Sequence, residues 1–242
     1  HYPGAMQWRW WKRKKNTRTF RLGSKKTDTA RRIDLSRLTP TVADLVAHAG
    51  ATSSLVATEY QELSEHAWSA QDRDELARAS GAALERYEGF RAVLADYVDD
   101  PVQSMAEPLE YQRAQFALMR ADNWYERIAT CVLAGGFLLD FYRIMVDALP
   151  ERAAKQLRPL LDSRPDEDLA QQVLERVFAV DVAYRSRVSL WGRRLIGDTM
   201  LIARHALRTS ESGRPGQAQV EPVLTDVVTE HTRRMDSLGL TA

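Results

Sequence analysis

From residue 39 to the end of the chain, nearly every segment has the apolar spacing of an amphipathic α-helix. In the clearest case, apolar side chains recur in steps of three, four or seven residues at Leu76, Ala83, Tyr87, Phe90, Leu94 and Tyr97. Such steps place the side chains on one helix face. No segment shows the strict alternation of a β-strand, so the sequence predicts an all-α fold.

Prolines and polar residues divide this region into predicted helices. The four long ones cover residues 41–69, 72–100, 122–148 and 166–208, and a last helix covers residues 220–238. We expect Thr39 to cap the first helix, with Pro40 at its first position. Residues 101–121 are predicted to be a connection with one short helix near 110–119, and the glycines of residues 189–197 are predicted to bend their helix.

Four long helices joined by one long crossover connection indicate a ferritin-like four-helix bundle rather than a simple up-and-down bundle. Extra short helices and a C-terminal helix complete the predicted domain, which covers residues 39–242. A segment of this length is ample to bury a core.

Cysteine and histidine usage excludes zinc-finger and thioredoxin-like proteins. Cys131 is the single cysteine, and the five histidines form no H-x-x-x-H pair. The longest uncharged apolar stretch, residues 128–139, is shorter than the about 20 residues of a bilayer helix. We expect no transmembrane segment, no secretory signal and a cytoplasmic location.

The N-terminus differs sharply from the rest in charge. Residues 1–32 carry a net charge of +10, whereas the remainder carries −9. This shift predicts a flexible basic arm over residues 1–38, distinct from the helical domain. Residues 1–5 are interpreted as the remnant of an expression tag before a native Met6.

The arm interleaves tryptophans with cations. The residues concerned are Trp8, Arg9, Trp10, Trp11, Lys12, Arg13, Lys14 and Lys15. This pattern suits stacking on RNA bases with phosphate contacts, and equally insertion of indoles into an anionic membrane surface, which would make the location membrane-peripheral. A solvated arm lying on the acidic body is the third alternative. A protein partner or a second copy of the chain also remains open.

A ferritin-like bundle raises the question of a di-iron site, which is usually built from carboxylates and two E-x-x-H pairs. The sequence contains no E-x-x-H. The pairs Glu59 with Glu62 and Glu85 with Glu88 are interpreted as surface or groove-edge acids. Asp140 lies next to the apolar stretch, and we expect it to be half-buried and paired with an arginine.

Four segments carry a resemblance to a known family. They are residues 86–94 (RYEGFRAVL), 135–142 (GGFLLDFY), 189–198 (SLWGRRLIGD) and 231–240 (HTRRMDSLGL). In order and spacing, these segments resemble the bacterial ferritin-like proteins related to tRNA isopentenyladenosine hydroxylase. The resemblance runs from about residue 44 to the C-terminus, and it implies a ferritin-like fold and, in an intact relative, non-haem di-iron chemistry.

The resemblance also implies where the iron ligands of such a relative would fall. These degenerate ligand positions are Ser53, Ala83, Arg86, Gly135, Ser163 and Asp166. A one-residue shift of the last two, to Asp162 and Pro165, supplies no histidine either. Serine, alanine and glycine offer no anion, and arginine brings a permanent positive charge, so we expect the metal site to be lost.

We therefore expect a non-catalytic binding or scaffolding protein without a cofactor. Ala83 and Gly135 should face the bundle interior, and Arg86 should either extend toward solvent or be neutralised by a nearby acid. The alternative function is a di-iron oxidoreductase acting on tRNA. Its ligands would have to converge inside the bundle from Glu59, Glu85, Glu88 and Asp140. A membrane-surface protein attached through the arm is a further alternative.

Overall fold

The computed structural model describes residues 40–208 and 217–241. The helices are α1 (Val42–Glu65), α2 (Ala70–Leu94), α3 (Pro101–Leu118), α4 (Trp124–Val146), α5 (Glu151–Asp162), α6 (Pro165–Val180), α7 (Val182–Arg208) and α8 (Gln217–Ser237). These ranges contain no strand, so the predicted all-α fold is confirmed. The arm residues Trp8 to Lys15 and the predicted cap Thr39 lie outside the described residues.

Short polar side chains begin the first three helices. Thr41, Ser69 and Asp100 each accept a hydrogen bond from the backbone N–H three residues later, at 2.9 to 3.1 Å. Such caps satisfy an amide that has no partner inside the helix. Pro101 follows its cap at the first helical position, where proline costs no backbone hydrogen bond.

Two predicted helix boundaries are wrong. The connection predicted for residues 101–121 is mostly the 18-residue helix α3, because Pro101 begins a new helix, whereas α2 already ends at Leu94. The single helix predicted for residues 166–208 is divided at Asp181, whose backbone is extended at φ −152° and ψ 124°. The Asp181 carboxylate accepts the Ala183 N–H at 2.8 Å, so it caps α7. Residues 189–197, where the glycines are predicted to bend the helix, lie within the continuous helix α7.

The core of the bundle consists of α1, α2, α4 and α6, and α3 forms the crossover. Helix α1 packs along α2, and α2 packs against α6. Helix α4 is central and contacts α1, α6, α7 and α8. Among the described residues it alone is long and apolar enough to span a membrane, and 83% of its apolar window is buried by the other helices.

Helix α4 contains a π-helical segment, Cys131–Gly135, at its most buried point. Such a segment widens one helical turn and is frequent near functional sites. A Cβ on Gly135 would lie 2.9 Å from Val56 Cγ2 on α1, and a Cβ on Gly136 would lie 2.6 Å from the Arg234 guanidinium carbon on α8. The two glycines therefore allow α1 and α8 to approach α4 closely.

Candidate functional site

Five of the six degenerate ligand positions lie in the bundle interior. The buried residues are Ser53 on α1, Ala83 and Arg86 on α2, Gly135 on α4 and Asp166 on α6. Ser163 is the exception, since it is exposed in the turn between α5 and α6. The burial of Ala83 and Gly135 agrees with their expected inward orientation.

At the centre of these residues, Arg86 and Asp166 form a buried ion pair. Arg86 Nη1 donates to Asp166 Oδ1 at 2.6 Å, and Nη2 donates to Oδ2 at 2.7 Å. Arg86 Nε donates to Ser53 Oγ at 3.1 Å, and the Ser53 hydroxyl donates to the Ala49 carbonyl at 3.0 Å. The two charged side chains are 4% and 1% exposed. Of the two expectations for Arg86, neutralisation by an acid is therefore the one observed.

Local sequence explains the position of both partners. Asp166 follows Pro165 in the first turn of α6, where the helix dipole favours a carboxylate. Ala83 lies one turn before Arg86 on the same buried face of α2, and its small side chain leaves room for the guanidinium. Burial alone would lower the pKa of Arg86, but the hydrogen bonds and charge of Asp166 raise it above its ordinary value. The guanidinium is therefore permanently charged.

A second ionic cluster adjoins this pair, and we call it the four-charge ring. It consists of Asp140, Arg164, Glu167 and Arg234. Asp140 binds Arg164 and Arg234, each at 2.8 Å. Glu167 binds Arg164 at 3.0 Å and Arg234 at 3.1 Å. Asp140 is predicted to be half-buried and paired with an arginine; its side chain is 14% exposed, and it pairs with two arginines.

The arginines of the ring keep the Glu167 carboxylate ionised. Burial would raise the pKa of Glu167, but the charges of Arg234 and Arg164 lower it below its ordinary value. Sequence reasoning missed Arg164, Glu167 and Arg234. The one available signal was the Arg233-Arg234 pair inside the segment of residues 231–240.

The remaining candidate acids do not converge. Glu85 and Glu88 are exposed on α2. Glu59 and Glu62 bind Arg127 at 2.8 and 3.1 Å at the edge of α1. The set required by the di-iron alternative, Glu59, Glu85, Glu88 and Asp140, is therefore not assembled inside the bundle.

The residues at the degenerate ligand positions do not fit a di-iron centre. They offer two hydroxyls, of which Ser163 is exposed, one guanidinium and one carboxylate, and both oxygens of that carboxylate already bind Arg86. Iron requires several free anionic oxygens or imidazoles. Within residues 40–208 and 217–241, no group of three or more His, Cys, Asp or Glu side chains is arranged to hold a metal ion.

The four packed helices and the crossover helix α3 have the arrangement of a ferritin-like helical-bundle protein, and charged side chains lie in its interior. A family profile described as "Ferritin-like domain, actinomycetes" matches residues 36–211, and the chain belongs to this family. No curated protein matches the sequence. Helix α8, including Arg234, lies beyond the matched range.

Proposed function

We propose that this chain is a non-catalytic ferritin-like binding protein, in which an internal ion pair takes the place of a metal centre. The observation that supports this proposal most directly is the two-pronged contact of Arg86 with Asp166 at 2.6 and 2.7 Å. It lies where the sequence resemblance would place iron ligands. An iron-binding relative would have free carboxylates at this point.

Charge balance supports the same proposal. Arg86 neutralises Asp166, and in the four-charge ring two arginines neutralise two carboxylates. These six side chains leave no excess negative charge to attract a metal cation. A dication entering near Arg86 would also meet a fixed positive charge in a medium of low dielectric constant, where repulsion is strong.

The nature of the binding partner is a separate proposal. The resemblance to tRNA-hydroxylase relatives, together with the basic arm, favours RNA as the partner. An anionic membrane surface is the alternative for the same arm. The arm lies outside the described residues, so both expectations come from the sequence.

Metal analysis tests the proposed loss of the metal centre. The full chain is purified from cells grown with added iron, next to an iron-binding ferritin-like protein purified in the same way. We expect well below one iron per chain. About two irons per chain, with carboxylate ligands seen by X-ray absorption, would overturn the proposal.

A further inference from the structure

A pocket of about 250 Å³ opens between α1, α3 and α4, away from the Arg86–Asp166 pair. Its buried lining side chains are Leu55, Phe116, Thr130 and Cys131, which are 2%, 6%, 5% and 2% exposed, and all but Thr130 are apolar. Its exposed lining includes Arg113 and Arg120 on α3. The pocket therefore has an apolar interior and a cationic rim.

Three arginines and two glutamates line the pocket, so its lining has a net charge of +1. Arg127 binds Glu59 and Glu62, and Arg120 also binds Glu62, at 2.8 Å. Arg113 has no carboxylate partner among the described residues. Three arginines thus face two glutamates.

The pocket also contains an unsatisfied donor. The Nε of Arg127 is buried, and no acceptor for it is found in the described part of the chain. A buried donor without an acceptor is costly, and native proteins usually supply water or a ligand for it.

We propose that this pocket binds a small monocarboxylate with an apolar body, about the size of benzoate. A guanidinium pairs with a carboxylate in a planar, two-pronged contact, and the surplus charge calls for one negative charge. The apolar interior suits a ring or short chain. A dry cavity of about 150 Å³ in another, engineered protein holds benzene, so 250 Å³ accommodates a ring that carries a carboxylate.

The proposal goes beyond the metal-free bundle proposed above, because the pocket contains no residue of the Arg86–Asp166 pair or the four-charge ring. Its test is binding of a fluorinated benzoate to the full chain, followed by fluorine NMR. The matched neutral probe is the corresponding fluorinated benzamide, which has the same shape without the charge. We expect saturable binding of the benzoate and binding of the benzamide weaker by about tenfold or more.

Variants locate the binding site. Arg113→Gln combined with Arg120→Gln should weaken benzoate binding by about tenfold or more, and the fold should survive because Glu62 keeps Arg127 as a partner. Ala117→Phe narrows the exposed rim without removing charge and should also abolish binding. Arg78→Gln removes an exposed arginine of α2 outside the pocket and should change nothing.

The melting temperature of each variant confirms that it is folded. Three results would each overturn the proposal. One is the absence of saturable benzoate binding, the second is equal affinity for the benzoate and the benzamide, and the third is undiminished binding by the double arginine variant. If the protein contains iron but binds benzoate as expected, only the proposal of a metal-free bundle is refuted. The two proposals can therefore be refuted independently.

Discussion

Replacing Arg86 by methionine removes the one charged partner that the Asp166 carboxylate has within the described part of the chain. Asp166 is 1% exposed, so water cannot replace the lost guanidinium. Breaking a buried pair by removing one partner typically costs about 3–5 kcal/mol. In a chain of 242 residues this corresponds to a fall in melting temperature of about 6–20 °C.

Removing both charges should restore most of the lost stability. In Arg86→Met with Asp166→Leu, no uncompensated charge remains, and apolar replacements of a buried pair are often neutral or stabilising. Ser53 keeps its bond to the Ala49 carbonyl, so its hydroxyl is not left unpaired. Urea unfolding of the full chain, followed by far-UV circular dichroism, gives the free energies of unfolding for both variants.

Arg91→Met is the matched control on the same helix. Arg91 pairs with Glu88 at 2.9 Å, but both side chains are about half exposed, so its loss should cost no more than about 1 kcal/mol. If Arg86→Met costs as little as this control, the buried pair does not stabilise the bundle. Equal destabilisation of the single and double variants would likewise refute the argument, because the loss would then not come from an unpaired charge.

Four further predictions concern other parts of the chain. Gly136→Ala should destabilise the fold by about 1–3 kcal/mol, because the added methyl group collides with a guanidinium of the four-charge ring. Gly81→Ala should instead stabilise it by up to about 1 kcal/mol, since no atom lies within 4 Å of the added carbon; thermal unfolding of both checks this. Burial lowers the pKa of His48 and His231 to about 4, so the folded state binds fewer protons than the unfolded chain between this value and about 6.5. Stability should therefore fall as the pH drops through this interval, by on the order of 3 kcal/mol per histidine at most, and the histidine contribution should be complete below it. Urea unfolding across a pH series would show no such fall if the histidines protonate freely in the fold. Deleting residues 6–32 should leave the helical circular dichroism unchanged and abolish association with RNA or anionic liposomes, and equal binding before and after deletion would leave the arm without this role.

Much of the fold is predictable because helical periodicity and capping are local properties of the sequence. The predicted helix boundaries are wrong where a single residue can either end one helix or begin the next. The sequence predicts that Pro101 ends one helix, but it is the first residue of α3, and Asp181 separates two helices within a pattern that is helical on both sides. The π-helical segment Cys131–Gly135 was not predicted, because its apolar sequence is equally compatible with an ordinary α-helix.

The interior site was predictable only through the resemblance. Ser53, Arg86 and Asp166 come from three helices and are 33 and 80 residues apart along the chain, so no local spacing connects them. The resemblance placed all three at one point, and the structure brings them into contact. The resemblance did not predict the contacts of the four-charge ring, because Arg164 and Arg234 do not occupy ligand positions.

The folded domain extends beyond the part of the chain that matches the family, because it includes helix α8. The family match ends at residue 211, yet Arg234 supplies half of the positive charge of the four-charge ring. A fragment cut at the family boundary would leave Asp140 and Glu167 to share Arg164 alone, and it would uncover the apolar face of α4 that α8 contacts. Fragments prepared for binding or structural work should therefore extend through residue 241.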